Sequence, residues 1–174
     1  ASSIIRKKLE TRRVPGAAPI TWIAVRTTSA VEHAAPECRS RQVYKGVLDG
    51  QSRGVFQGKV HVLRDAQKTD GHQLSRALLL SPRAEIDARP ELEIYADDVK
   101  CSHGATAGEL DADALFYLLS RGVPRVTARN MLIEAFLSEA IAEIPFLPVA
   151  EGFSSHVRQW LDVRADQSPY GEDL

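Results

Sequence analysis

From residue 31 to residue 107 the apolar side chains recur at every second position, and no helix-length stretch interrupts them. Period two is the signature of a strand with one face inward. Lys59-Val60-His61-Val62 alternates, Glu91-Leu92-Glu93-Ile94-Tyr95-Ala96 alternates, 99–105 alternates again, and 74–80 ends in Leu78-Leu79-Leu80. Parallel strands in ordinary βαβ units need a helical crossover, and this zone offers none. An antiparallel sandwich or a solenoid of stacked coils remains. Corners are predicted at Asp49-Gly50, Asp70-Gly71, Ser81-Pro82 and Arg89-Pro90, residue pairs that supply positive φ or fix it. Polar strand residues such as Gln57, Gln67, Gln73 and Ser75 lean toward the solenoid, but the pattern leaves both architectures open.

After Leu110 the period changes to 3.6. Asp111 is the expected N-cap of a helix over Ala112–Ser120, with Gly122 as its stop. Pro124 opens a second helix at its first turn, where the missing N–H costs nothing. Its stripe runs Leu132, Ile133, Phe136, Leu137, Ala140, Ile141 and Ile144, with Pro145 and Pro148 ending it. A third amphipathic segment surrounds Val157, Trp160, Leu161 and Val163. The expected organisation is a β-rich domain over 1–110, with 1–30 atypical, and a helical domain over 111–174. In 1–30 a Pro15–Pro19 interruption and one β-branched run at 20–25 are all that stand out.

Composition narrows the function classes. The chain is 44% hydrophobic and 26% charged, which suits a folded soluble domain. No apolar run approaches the ~18 residues of a membrane-crossing helix, and no signal-type segment opens the chain. Two cysteines, Cys38 and Cys101, fit a reducing compartment, so the cytoplasm is expected. Residues 1–30 hold six basic side chains against Glu10 alone, and the remainder is acidic. The stretch from Arg6 to Arg13 carries no interleaved aromatic residue, so it reads as a solvated basic segment and not as a nucleic-acid platform.

Catalytic motifs fail on spacing. Gly54-Val55-Phe56-Gln57-Gly58-Lys59-Val60 has three residues between its glycines where a phosphate-cradling loop has four, and valine where that loop has Ser or Thr. No Gly-x-Ser-x-Gly elbow occurs around Ser52, Ser75, Ser102 or Ser120. A carbohydrate-active β-enzyme needs convergent carboxylates, whereas Asp97-Asp98 would diverge in a strand and fit a turn better.

Cys101-Ser102-His103 is the sharpest local feature. In a strand, positions 101 and 103 share a face, and thiolate and imidazole are usual donors to zinc and iron. Two donors do not close a site, so a second chain or other coils would supply the rest. The competing explanation is a buried packing face of Val99, Cys101, His103, Ala105 and Ala107. His33, His61, His72 and His156 have no ligand-type neighbour at short spacing and read as surface or packing residues.

The run Glu91-Leu92-Glu93-Ile94-Tyr95-Ala96-Asp97-Asp98-Val99-Lys100-Cys101-Ser102-His103-Gly104-Ala105-Thr106 resembles the SufB/SufD family of iron–sulfur cluster assembly proteins. Ala114-Leu115-Phe116-Tyr117-Leu118, Ser120-Arg121-Gly122-Val123, Val31-Glu32-His33-Ala34-Ala35-Pro36, Tyr44-Lys45-Gly46-Val47-Leu48-Asp49, Gly58-Lys59-Val60 and Asp65-Ala66-Gln67-Lys68-Thr69 carry the likeness further. It extends over about residues 31–145, and histidine at 103 is similar to the SufD branch. The resemblance implies a right-handed parallel β-helix, truncated here, followed by a small helical domain. It implies a non-catalytic scaffold subunit that pairs with SufB and docks the SufC ATPase through the helices at 112–144. His103, with Cys101 beside it, would hold a transient iron–sulfur cluster at the subunit interface. A subunit that only positions SufB is the alternative. Residues 1–30 do not resemble the family's preceding coils, and a truncated end coil would favour self-pairing in SufB's place. The resemblance also implies a cytoplasmic or plastid-stromal location, with no nucleic acid or membrane as partner.

Overall fold

The computed structural model of the chain describes residues 3–13 and 23–167. The chain divides into two compact units, Ala1–Gly108 and Glu109–Leu174. The first contains strands β1 (Ser3–Arg13), β2 (Ile23–His33), β3 (Arg39–Leu48), β4 (Arg53–Val62), β5 (Asp70–Leu79), β6 (Glu85–Ile94) and β7 (Lys100–Gly108). The second contains helices α1 (Ala112–Ser120), α2 (Arg125–Ile141) and α3 (Leu147–Gln167).

Strand order decides between sandwich and solenoid. One sheet runs β1-β2-β4-β6 and the other β3-β5-β7. Every pair after β1·β2 is parallel, as in Arg53↔Glu85 and Asp70↔Lys100. The chain therefore passes from sheet to sheet and returns one rung higher, which is the parallel β-helix and not the antiparallel sandwich. Equivalent positions stack 29 to 32 residues apart from coil to coil, with His72 on Ser102 and Gln73 on Gln42 as examples. The coil is thus longer than the 21 residues that separate Asp49-Gly50 from Asp70-Gly71.

Two expected corners lie inside strands. Asp70-Gly71 begins β5, and Pro90 sits in the middle of β6. Pro90 is tolerated there because β6 is the last strand of its sheet, where the missing N–H breaks no central ladder. Asp49-Gly50 and Ser81-Pro82 are true corners. Gly50 adopts φ 62°, and Ser81 Oγ donates to the Gly50 carbonyl 2.6 Å away on the coil below. The opposite corners also stack. Glu37 and Lys68 both take positive φ, the Glu37 N–H donates to the Gln67 carbonyl, and Gln67 Oε1 accepts from the Asp98 N–H. Asp97-Asp98 thus lies in a turn, as its sequence suggested.

Residues 3–13, which include the Arg6 to Arg13 stretch read from sequence as a solvated basic segment, form an eleven-residue strand antiparallel to β2, from Ser3↔His33 to Arg13↔Ile23. This reversal covers an edge that would otherwise present an unpaired ladder. The part of the 20–25 run before Ile23, and the Pro15–Pro19 interruption, lie outside the described residues.

The interior of the β-helix is banded. Val60, Val62, Ala66 and Ala96 form an apolar cluster at one row of corners, and Leu48, Ala77 and Ala84 form another at the opposite row. Between them lies a buried polar band of Ser29, Gln42, Gln73 and Ser75. Tyr44 and Phe56, with ring centroids 4.7 Å apart, face each other across the interior. On the outer surface Lys59 and Glu93 pair at 2.7 Å, which raises the lysine pKa and lowers that of the glutamate through their hydrogen bond.

In the helical unit Asp111 caps α1, accepting from the Asp113 and Ala114 N–H groups at 2.9 and 3.0 Å. Gly122 turns the chain at φ 81°. Pro124 is the N-cap of α2. That helix stops at Ile141, before Ile144, and Pro148 opens α3 as its second residue instead of ending α2. Of the long stripe only Ile133 is fully buried, alongside Ala128 and Leu161. Phe116, Tyr117, Met131, Phe146 and Phe153 remain exposed.

Candidate functional site

β7 is the terminal strand of its sheet, so its residues have a rung beneath them and none above among the described residues. Positions 101 and 103 share the inward face, in register with Gly71 and Gln73. Cys101 is partly buried against the Val60–Val62 cluster. Burial pushes its thiol pKa up, a hydrogen bond from the Gly71 backbone pulls the other way, and the Asp70 carboxylate adds to the rise. At neutral pH it is a protonated thiol, and metal binding there must release the proton. His103 is exposed, as are Ala105 and Ala107. The packing explanation needs that face buried, and the end of the sheet leaves it open.

Thiol and imidazole are donors that iron accepts, but they fall short of a complete coordination set. No group of three His, Cys, Asp or Glu side chains that could hold a metal occurs among the described residues. An iron–sulfur cluster bound here would be cargo shared with ligands from another chain.

His33 shows what sequence reasoning missed. It is fully buried, and its Nε2 lies 2.9 Å from Ser40 Oγ. A Cβ on Gly71 would stand 3.4 Å from Cys101 Sγ and 3.5 Å from His33 Nε2, so glycine leaves room for both side chains. Only the coil offset, invisible in local spacing, brings His33 near Cys101. Burial lowers the His33 pKa below its ordinary 6.5. The native state then keeps the ring neutral while the unfolded chain takes up a proton, so stability is lost as pH falls below about 6.5. Urea midpoints should drop between pH 7 and pH 5, and His33→Gln should flatten that fall. A wild-type midpoint independent of pH over that range would contradict it.

His72 is also better connected than its sequence neighbours implied. Its Nε2 lies 2.7 Å from Asp70 Oδ1 and its Nδ1 2.7 Å from Ser102 Oγ. This row ties β5 to β7 on the outer face. A shallow cavity of about 350 Å³ there is lined by Arg41, His72, Gln73, Ser102 and His103 among others. His61 lies 3.4 Å from Glu32 and edge-on to Tyr95.

Residues 23–136 match the family described as SUF system FeS cluster assembly, SufBD core domain. The chain belongs to that family. It is 47% identical over 113 residues to the iron-sulfur cluster assembly protein SufD of Escherichia coli, covering 65% of this chain and 27% of the relative. It is 45% identical over 124 residues to the chloroplastic protein ABCI7 of Arabidopsis thaliana, covering 71% of this chain and 26% of that protein. SufD of Bacillus subtilis is 34% identical over 118 residues, covering 68% and 27%. The chain thus spans about a quarter of the length of these SufBD relatives. Among the described residues, no helix is long and apolar enough to cross a membrane.

Proposed function

We propose that the chain forms part of a SufD-type scaffold subunit, in which His103, assisted by Cys101, helps hold a nascent iron–sulfur cluster. The observation that carries this reading is an exposed imidazole beside a partly buried thiol on a terminal strand of a SufBD-family β-helix. Two donors at an open rung call for a second chain to complete the coordination, and SufB is the proposed source. The exposed Phe116, Tyr117, Phe146 and Phe153 support docking of a SufC-type ATPase on the helical unit. Nucleotide energy would enter from that ATPase, because Gly54–Lys59 lies within a strand and lacks the phosphate-loop pattern. On this reading the subunit is not itself a catalyst, and it works in the cytoplasm or a plastid stroma. Without SufB, a second copy of the chain would occupy the open face.

The test is His103→Ala in the assembled complex, with cluster formation followed by visible absorbance. Loss of a ligand should lower cluster yield about 10–100-fold while the urea midpoint stays unchanged. Full yield from the variant would discard the ligand role and leave a subunit that only positions its partner.

A further inference from the structure

The buried polar band leads directly to His103. Gln42, Gln73 and His103 occupy the same register position on β3, β5 and β7, one rung above another. Gln42 is 8% exposed and Gln73 only 2%. Gln42 Oε1 accepts from Tyr44 Oη at 2.9 Å and, more weakly, from Ser29 Oγ and Gln73 Nε2, both at 3.4 Å. Gln73 therefore directs one of its two amide N–H donors to the rung below. Its Oε1 has no hydrogen-bond partner although it is buried.

What surrounds that oxygen restricts who can serve it. The Gln73 carboxamide lies against Gly58 on the facing sheet, so close that a Cβ at 58 would collide with it. Glycine offers no side-chain donor. The residue one rung above Gly58 is Pro90, which has neither an N–H nor a polar side chain. On its own sheet the residue one rung above Gln73 is His103. Adjacent rungs stand about 4.8 Å apart, within reach of a carboxamide and an imidazole.

We infer that Gln73 is a positioning residue for His103, its Oε1 accepting one ring N–H so that the other nitrogen is left bare to meet a metal. Histidine ligands commonly give their second N–H to a carbonyl, which fixes tautomer and ring plane together. Here the carbonyl belongs to a side chain anchored by the rung below, and the file from Ser29 through Gln42 holds it. This rests on the reading of His103 as a cluster ligand.

The experiment is nitrogen-15 spectroscopy of histidine-labelled protein, in the complete polypeptide as the cell makes it, with His103 assigned by its loss in His103→Ala. The wild type should show one ring nitrogen protonated and one bare, as two well-separated resonances. Gln73→Leu, of similar size with no acceptor, should bring the two together as the tautomers interchange. Gln73→Glu, which keeps the acceptor, should restore the separation. If the leucine variant does not fold, Gln73→Met is read in the same way. An averaged wild-type signal, or separated resonances that survive loss of the acceptor, would overturn the inference and leave the cluster-binding proposal untouched. Conversely, full cluster yield from His103→Ala would remove the ligand role while the resonances still reported the hydrogen bond. In the assembled complex Gln73→Leu should lower cluster yield about tenfold, and an unchanged yield would deny the contact any functional weight.

Discussion

Truncating Ile133 to alanine should destabilise the helical unit by about 2–5 kcal/mol, the range for removing a large aliphatic side chain from a closed core. Ile133 is fully buried, and its companions Ala128 and Leu161 are small or few. A short three-helix unit has little else to rely on, because domains of this size hold only about 0.05–0.15 kcal/mol per residue. The measurement is urea unfolding followed by the helical circular-dichroism signal. Phe116→Ala is the control. That ring is 72% exposed, and its loss should move stability by no more than about 0.5 kcal/mol. On the docking proposal the same change should weaken capture of the ATPase. A large stability loss at Phe116, or a negligible one at Ile133, would mean the buried and exposed faces of these helices are misassigned.

Gly58→Val should be comparably damaging, for the opposite reason. The position faces the interior, where Gln73 crosses the coil and leaves no space for a side chain. Overpacking of this kind costs about 1–3 kcal/mol. Here displacement also strips the buried Gln73 amide of its bond to Gln42, which costs a further ~1–3 kcal/mol. The informative comparison is a cycle with Gln73→Ala. If the clash is the cause, valine at 58 should cost much less once the carboxamide is gone, giving a coupling of about 1–3 kcal/mol. Additive costs would place the damage in the backbone instead.

The strands were readable because an inward face imposes period two, as in β4, where positions 54, 56, 58, 60 and 62 are all buried. Whether they pair parallel or antiparallel leaves no mark on that period, so the pattern left sandwich and solenoid open, the family resemblance pointed to the β-helix, and the order β3-β5-β7 shows it. Gly71 and Pro90 were taken for corners because glycine and proline mark turns in isolation. Each has a tertiary reason to stand in a strand, the crowding of His33 and Cys101 around one and the unbonded edge beside the other. The pairing of β1 with β2 had no signature in its weakly periodic residues. Cys101 and His103 were legible as a same-face pair, while the stacking of Gln73 beneath His103 depends on a whole coil of intervening chain. Local pattern thus reports which face a residue takes, and only the coil length reports its neighbour.

The near-constant offset of 29 to 32 residues also governs the order in which the body can form. Each rung closes a loop of nearly the same length onto the one before, so the closure entropy is nearly equal at every step and no distant partner has to be found. Assembly then follows synthesis like a zipper, and β7 is the last strand to close. Bonded on one side alone, as β6 is in the other sheet, it parts more readily during native fluctuations than the central strands. The strand that presents Cys101 and His103 is for that reason one that the proposed partner subunit could reshape at low energetic cost.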